Sequence, residues 1–361
     1  MNTRILASLA VVLASAVAAT SGPINQDTLR VLTPITRGNL TIFPIVGGAD
    51  HDTSRFLTLD EGVRAGTVIV TEQGSLQGLV RRGAPVRPHP SAAVNQLVLI
   101  NNSDRPLLLL AGEIVTGGKQ DRVIGSDRLV PPQSDPIDLS VFCVEPGRWV
   151  AHSEQFGSMK SQMAQPSVRV PAMAARDQRQ VWNQVAAARE AVQTKAGGML
   201  PDAVRGTTSY AQTMAAPQVQ EKIDGVAGSY ESLLHQLQKA DAKGVVVAIN
   251  GTLMWADLFA SNDLLSRYWQ KLARSYAAES LTSASAKGQA DQKAAQAFLD
   301  RLWGNREVVE TEPGLYRRAE ITGDGYKVFT LTALMPKTGF NVHTAKMMYD
   351  MDAQAKHRVV Q

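Results

Sequence analysis

A run of glycine and charged residues in the first half of the chain has the composition of a ligand site. It contains Gly-Glu at 112–113, Gly-Gly-Lys-Gln-Asp-Arg at 117–122 and Cys-Val-Glu-Pro-Gly-Arg-Trp at 143–149. Adjacent glycines permit positive φ angles, and successive backbone N–H groups beside cationic side chains can form a nest for an anion. An arginine adds bidentate contacts to a phosphate or carboxylate. These residues predict a site for an anionic small molecule.

Each residue type in this segment suggests a role. Glu113 and Glu145 are the candidate catalytic residues, because a carboxylate can act as a general base or hold a ribose hydroxyl. The candidate ligand-binding residues are Gly117, Gly118, Lys119, Gln120, Asp121, Arg122, Arg148 and Trp149.

A structural interpretation of the same residues stays open. Gly117-Gly118 could serve only as a hairpin turn. Glu113 could form an ion pair with Arg122 or Arg148 at the edge of the core, with Trp149 packed over the guanidinium.

Sequence motifs for metal or nucleophilic chemistry are missing from the chain. It has no H-E-x-x-H, C-x-x-C or G-x-S-x-G sequence, and none of its six histidines forms an i, i+4 pair. We therefore predict no metal site, and the sequence assigns no cofactor.

The first residues have the layout of a secretory signal. Arg4 precedes an apolar run from Ile5 to Ala18 that ends in Ala-Val-Ala, and the run is shorter than the roughly 20 residues of a membrane-spanning helix. We expect an exported protein, periplasmic or extracellular, with no transmembrane span after signal removal. Because Cys143 is the single cysteine, no intramolecular disulfide can form, and its strand-like surroundings predict a buried side chain.

The amino-acid composition indicates a globular protein but does not indicate a reaction. The chain has 361 residues, of which 44% are hydrophobic, and a net charge of +4. This apolar fraction suffices for a packed core. A small positive excess without clustered Lys and Arg gives no reason to expect a nucleic-acid partner.

Alternating and periodic apolar residues predict an α+β fold. The predicted strands are 29–33, 39–46, 67–71, 96–101, 106–111 and 136–144, with a short helix capped by Thr58 or Asp60 between the second and third. The predicted helices are 174–195, 218–239, 261–280 and 292–303, and Ser261 is a candidate N-cap of the third. A loop is predicted at 200–217, a strand at 244–249 and a hairpin at 320–334. Strands, then helices, then strands favour a β-rich, mostly antiparallel first half packed with about four amphipathic helices and late strands.

The same pattern divides the chain into segments. We expect a signal peptide at 1–18, a β-rich part at 29–150, a linker or long loop at 151–176, a helical part at 177–335 and a tail at 336–361. In the alternative, the late strands join the first sheet and the two large parts form one unit.

Together, the glycine and charged motifs resemble the ARG and Rhodanese-Phosphatase-superfamily-associated Protein domain family. Phe-Leu-Thr-Leu-Asp-Glu at 56–61 and Asn-Gly at 250–251 before Asp-Leu-Phe at 257–259 fit the same resemblance, which covers about residues 29–280. The resemblance implies a role around NAD-derived or ADP-ribose compounds. Asp121 stands where the family pattern often has asparagine, which adds a negative charge.

Three functions follow as hypotheses. The first is binding or processing of a phosphorylated or nucleotide-like small molecule by the 112–122 and 145–149 residues. The second is a non-catalytic envelope module whose 151–176 segment engages a protein partner. The third is a carbohydrate or peptidoglycan hydrolase, in which Glu113 and Glu145 would face each other across a cleft.

Overall fold

The fold is a mixture of antiparallel sheets and helices, as the sequence predicts. The computed structural model describes residues 29–72, 96–147, 153, 155–196, 200–227, 230–284, 288–335 and 339–349. The segment predicted as a signal peptide, 1–18, lies outside these residues.

Strands are numbered here in chain order. In the first half they are β1 (Arg30–Val31), β2 (Ile35–Arg37), β3 (Leu40–Val46), β4 (Leu57–Thr58), β5 (Val68–Glu72), β6 (Gln96–Asn101), β7 (Leu107–Leu109), β8 (Glu113–Thr116), β9 (Arg122–Ile124), β10 (Arg128–Val130), β11 (Ile137–Cys143) and β12 (Gln155–Met163). In the second half they are β13 (Gly244–Ile249), β14 (Thr252–Phe259), β15 (Asn305–Glu312), β16 (Tyr316–Gly323), β17 (Tyr326–Ala333) and β18 (Phe340–Met348).

The helices of the described residues lie mostly between β12 and β15. They are α1 (Leu59–Arg64), α2 (Pro166–Val170), α3 (Gln178–Ala196), α4 (Asp202–Gly206), α5 (Tyr210–Ala215), α6 (Pro217–Ala227), α7 (Tyr230–Lys239), α8 (Asn262–Thr282) and α9 (Gln292–Asp300), with a π-helical turn at Pro171–Ala175.

The largest sheet is built from both ends of the chain. Its order is β1-β3-β13-β14-β18-β17-β16-β15, with β2 paired to β3. Strand β3 pairs with β13 from Leu40 opposite Ile249 to Ile45 opposite Gly244. The tail predicted at 336–361 is wrong in part, because β18 lies inside this sheet between β14 and β17. The buried His343, Thr344 and Lys346 hide its strand pattern, because they replace the apolar residues by which a buried strand is recognised.

Six strands close into a barrel that the sequence did not predict. Their order is β11-β6-β5-β12-β8-β9, and side chains such as Val70, Leu99 and Val141 fill the interior. Strand β12 lies in the segment predicted as a linker, so that interpretation is corrected: residues 155–163 form a barrel strand and 166–175 are helical. The strand was missed because its sequence, Gln-Phe-Gly-Ser-Met-Lys-Ser-Gln-Met, contains no β-branched residue.

Boundaries account for most other differences between prediction and structure. The helix predicted at 174–195 begins at Gln178, and the one at 218–239 is two helices, α6 and α7. The loop predicted at 200–217 contains α4 and α5, and strands β14 and β15 were missed. Ser261 caps α8 by accepting a hydrogen bond from the Leu264 N–H (3.1 Å), as predicted.

The Phe-Leu-Thr-Leu-Asp-Glu motif forms the start of α1 and fastens it to α8. Thr58 and Glu61 make a reciprocal capping box. Arg267 Nε donates to Glu61 (3.0 Å), and Lys271 Nζ lies 2.9 Å from an Asp60 carboxylate oxygen. The motif therefore positions the long helix α8 against the first half of the chain.

Within the described residues, no helix combines the length and the apolar character that crossing a membrane would require.

Candidate functional site

The Gly-Gly-Lys-Gln-Asp residues form the loop of the β8–β9 hairpin. Ile114 pairs with Val123 and Val115 with Arg122, which leaves residues 117–121 as the connection. Both glycines have positive φ angles, +130° and +51°. A Cβ atom on Gly118 would lie 2.2 Å from the Phe156 ring. The hairpin interpretation of this glycine pair is thus confirmed.

Carboxylates of the protein itself occupy backbone donors of this loop. The Gly117 N–H donates to Asp121 Oδ1 (3.1 Å), and the Lys119 N–H donates to Glu72 Oε1 (2.8 Å). Lys119 Nζ also lies 3.6 Å from Glu72 Oε2. The anionic groups at these two donors belong to the chain itself, and binding of an anionic small molecule by the loop stays a prediction.

Arg122 and Gln120 hold the loop through side-chain hydrogen bonds. Arg122 is buried, and its Nη1 donates to Gln120 Oε1 (3.3 Å). The Gln120 amide donates in turn to the Glu145 carbonyl oxygen (3.0 Å). These contacts connect the hairpin loop to the turn that follows β11.

A cleft of about 370 Å³, called the acidic cleft below, opens where this loop meets β12 and α5. Its lining residues are Thr116, Gly117, Asp121, Glu145, Met159, Ser209, Ala211, Gln212 and Ala215. Asp121 and Glu145 both line it, and the Asp121 backbone N–H donates to Glu145 Oε2 (3.3 Å). Ser209 Oγ donates to Asp121 Oδ2 (3.0 Å). Asp121 and Glu145 are therefore the predicted site residues that the fold brings together with Gly117.

Helix α5 supplies the side of the acidic cleft that the sequence analysis missed. Ser209 caps α5 by accepting from the Gln212 N–H (3.0 Å), and the Tyr210 N–H donates to the Val144 carbonyl (3.1 Å). A serine before a short helical stretch is an N-cap signal that could have located this element. Nothing in the sequence placed it beside Asp121, 88 positions away.

Glu113 lies outside the acidic cleft, at the opposite end of β8. Its side chain is fully buried and accepts from Lys271 Nζ (2.6 Å) and from the Leu110 N–H (2.8 Å). The expected ion pair exists, but its partner is Lys271 of α8 rather than Arg122. Burial by itself lowers the pKa of the Lys271 ammonium group. The nearby carboxylates of Glu113 and Asp60 have a larger combined effect, so the pKa of Lys271 is raised. The arrangement required for a hydrolase, Glu113 facing Glu145, is absent from the described cleft lining.

A second group of buried charges, called the buried joint below, connects the barrel to the large sheet. It comprises Arg169 after β12, Asp127 between β9 and β10, Asp257 on β14 and His343 on β18. Arg169 makes a two-point contact with Asp257 (3.2 and 3.3 Å), and His343 lies between Asp127 (2.6 Å) and Asp257 (3.1 Å). None of these residues was a predicted site residue, although Asp257 belongs to the Asp-Leu-Phe motif at 257–259.

The charges of the buried joint balance. Burial disfavours ionisation of Asp257, but Arg169 and His343 reverse this and hold its pKa far below its usual range. Burial likewise opposes a charge on His343, yet Asp127 and Asp257 raise its pKa to about 9. Two cations thus face two carboxylates, which is the condition under which buried charges are tolerated.

Gly112 makes room for this joint. Its φ angle is +98°, and a Cβ atom there would lie 2.7 Å from the Arg169 side chain. Within the Gly-Glu pair, Gly112 therefore leaves space for the buried Arg169 side chain, and Glu113 forms an ion pair with Lys271. In the part of the chain that the structure describes, both contacts join buried elements of the fold.

Three further residues from the sequence analysis are Cys143, Arg148 and Trp149. Cys143 is buried, as expected, and burial raises the pKa of its thiol, which disfavours a nucleophilic thiolate. Arg148 and Trp149 lie outside the described residues. Across the ranges that the structure describes, no three His, Cys, Asp or Glu side chains are grouped to hold a metal ion.

Comparison with known proteins gives a family and no characterised relative. The model of the ARG and Rhodanese-Phosphatase-superfamily-associated Protein domain matches residues 28–346. No curated protein and no solved structure matches the chain. The family match spans the barrel, the buried joint and the acidic cleft, and the chain belongs to the ARG and Rhodanese-Phosphatase-superfamily-associated Protein domain family.

Proposed function

We propose that this protein is an exported domain that binds a small, hydroxyl-rich molecule in the acidic cleft. The observation that carries the proposal is that two acidic residues, Asp121 and Glu145, line a cavity of about 370 Å³. This volume falls within the roughly 300–1,000 Å³ typical of small-molecule sites.

The polarity of the acidic cleft favours one part of a nucleotide-like ligand over another. Two carboxylates accept hydrogen bonds from hydroxyl groups and repel phosphate groups. Thr116, Ser209 and Gln212 add hydroxyl and amide groups, while Met159 and Ala211 supply an apolar wall. A ribose or another sugar ring, which has hydroxyl edges and apolar faces, fits this lining. The family's implied connection with ADP-ribose compounds agrees with a ribose-binding role.

The hydrogen bonds of the two carboxylates suggest different roles. Asp121 accepts from Ser209 Oγ and from the Gly117 N–H, which belongs to its own loop. Glu145 lines the acidic cleft and accepts from the Asp121 N–H at Oε2 (3.3 Å). We therefore assign Glu145 as the principal hydroxyl acceptor and Asp121 as the residue that fixes the loop around it.

Titration calorimetry tests the proposal with a panel of ADP-ribose, NAD, AMP, ribose 5-phosphate and glucose. We expect at least one probe to bind the wild-type protein, and Glu145→Gln to weaken that binding tenfold or more. Glu221→Gln, the same change on an exposed position of α6, is the matched control and should bind like wild type. Binding that Glu145→Gln leaves unchanged would refute the assignment of the cleft.

A non-catalytic interaction module is the second candidate, and an exposed strand favours it. Strand β15 ends the large sheet within the described residues, and Val308 on it is 50% exposed. Trp303, just before it, is 61% exposed. Exposed aromatic and edge-strand groups are common contact points for protein partners. A folded protein that binds none of the five probes would favour this candidate.

Export rests on the sequence of residues 1–18 alone. Cell fractionation of the tagged full chain, compared with a variant carrying Leu6→Arg and Leu9→Arg, tests it. Retention of both forms inside the cell would contradict export.

A further inference from the structure

A second cavity, lined by three arginines, lies at the other end of β9 from the acidic cleft. It measures about 140 Å³. Arg128 reaches it from β10, Arg318 from β16, and Arg176 from the end of the π-helical turn. Gly125 and Ser126 border it directly after β9, whereas Asp121 of the acidic cleft comes directly before that strand. The two cavities are therefore separated by roughly 13 Å of strand. This second cavity is called the arginine pocket below.

Acidic groups in the arginine pocket only partly neutralise the cations. Glu310 lies 3.7 Å from Arg128 Nε and 3.0 Å from Arg318 Nη2, so one carboxylate is shared by two guanidinium groups. Arg176 pairs with Glu320, which does not line the pocket. The other lining carboxylate, Asp138, is exposed.

Two buried donors in this region lack an acceptor. The Nε atoms of Arg128 and Arg318 are buried and have no hydrogen-bond partner among the described residues. A buried N–H group without an acceptor destabilises a fold, so such groups in a native protein call for an explanation. A bound oxyanion supplies the acceptor oxygens that these donors lack.

The backbone at Arg176 adds an independent observation. Its φ angle is +51°, in the left-handed region that a non-glycine residue rarely adopts, directly after a π-helical turn. Strained residues and single π-helical turns concentrate at binding sites, where the surrounding structure holds them in place. Here the strained position carries a side chain that lines the pocket.

We propose that the arginine pocket binds a phosphate group. Guanidinium groups match tetrahedral oxyanions through charge-assisted hydrogen bonds. A volume of about 140 Å³ is below the range for whole drug-sized ligands, so the pocket takes a single oxyanion or the terminal phosphate of a larger molecule. This site is separate from the acidic cleft and does not depend on the function proposed for it.

Binding of inorganic phosphate to the full-length protein, measured by titration calorimetry at constant ionic strength, tests this proposal. We expect saturable binding in sodium chloride buffer, weakened at least tenfold by Arg128→Gln and at least threefold by Arg176→Gln. Arg179→Gln removes the same charge from an exposed position three residues away, outside the pocket, and should bind like wild type. Glu145→Gln should also bind phosphate like wild type, which separates this site from the acidic cleft.

Two further results discriminate between the outcomes. Glu310→Gln should strengthen phosphate binding, because it removes the carboxylate that competes for two arginines. Arg176 is half exposed (48% of its side chain), so its variant tests the proposal even if Arg128→Gln fails to fold. Equal binding to wild type and Arg176→Gln, or no saturable binding at all, would overturn the proposal. In the Glu145→Gln protein, tighter binding of ribose 5-phosphate than of inorganic phosphate would identify the source as a larger phosphorylated molecule.

Discussion

The buried joint and the acidic cleft contain charged residues of similar burial but of different balance. In the joint, Arg169 and His343 face Asp127 and Asp257, so every charge has an opposite partner within the core. In the cleft, two acidic residues line a cavity. Opposite charges paired inside a fold hold elements together, whereas acidic residues that line a cavity can meet a ligand. We therefore assign a structural role to the buried joint and propose a binding role for the acidic cleft.

The largest effect should come from breaking the buried joint. Asp257→Asn leaves Arg169 and His343 without their shared carboxylate, and we expect a loss of about 3–5 kcal/mol in the free energy of unfolding. Denaturant unfolding followed by tryptophan fluorescence measures it, because Trp255 Nε1 donates to Asp257 (2.8 Å). Asp263→Asn, at a largely exposed position of α8, is the control and should change stability by less than about 0.5 kcal/mol. An Asp257→Asn protein as stable as wild type would contradict the structural role assigned to the buried joint.

The pH dependence of stability should report the same joint. The pKa of His343 rises from an ordinary 6.5 to about 9 in the fold, so its contribution is complete below pH 6.5 and is lost as pH rises through 9. We expect the unfolding free energy of wild type minus that of His343→Asn to fall by up to about 3 kcal/mol between pH 6.5 and 9. Subtraction cancels other titrating groups. A difference that stays constant over this range would show that His343 is neutral in the fold.

Glu113 gives an intermediate test, because it was predicted to be catalytic and is found in an ion pair. Glu113→Gln should cost about 1–3 kcal/mol of stability, since Lys271 keeps Asp60 as a second carboxylate. It should leave probe binding in the acidic cleft unchanged. Combined thermal unfolding and calorimetry measure both. Lost binding with unchanged stability would restore Glu113 to the functional site.

The smallest effect on stability should come from the cleft itself. Glu145→Gln keeps the shape of the side chain and removes one negative charge from the cleft lining, so we expect a change below about 1 kcal/mol. Denaturant unfolding at low and high salt measures it. A loss of stability as large as that caused by Asp257→Asn would show that Glu145 has a structural role, and it would contradict the difference drawn between the acidic cleft and the buried joint.

Local sequence signals predicted the elements that depend on local contacts. The Thr58 cap, the Ser261 cap and the glycine-pair hairpin were all found where neighbouring residues predicted them. The α+β class followed from the same alternation of patterns. Strand β18 was missed because buried polar residues interrupt its apolar pattern, and strand β12 was missed because it contains no β-branched residue.

By itself, the sequence determined the α+β class, the caps, the hairpin and the family to which the chain belongs. Only the tertiary structure decided which charged residues act together. Glu113 meets Lys271 across 158 positions, Asp121 meets Ser209 across 88, and Asp127 meets His343 across 216. Caps and turns are set by interactions within a few residues, while the partner of a buried charge is set by which strands and helices pack together. Sequence spacing does not contain that information.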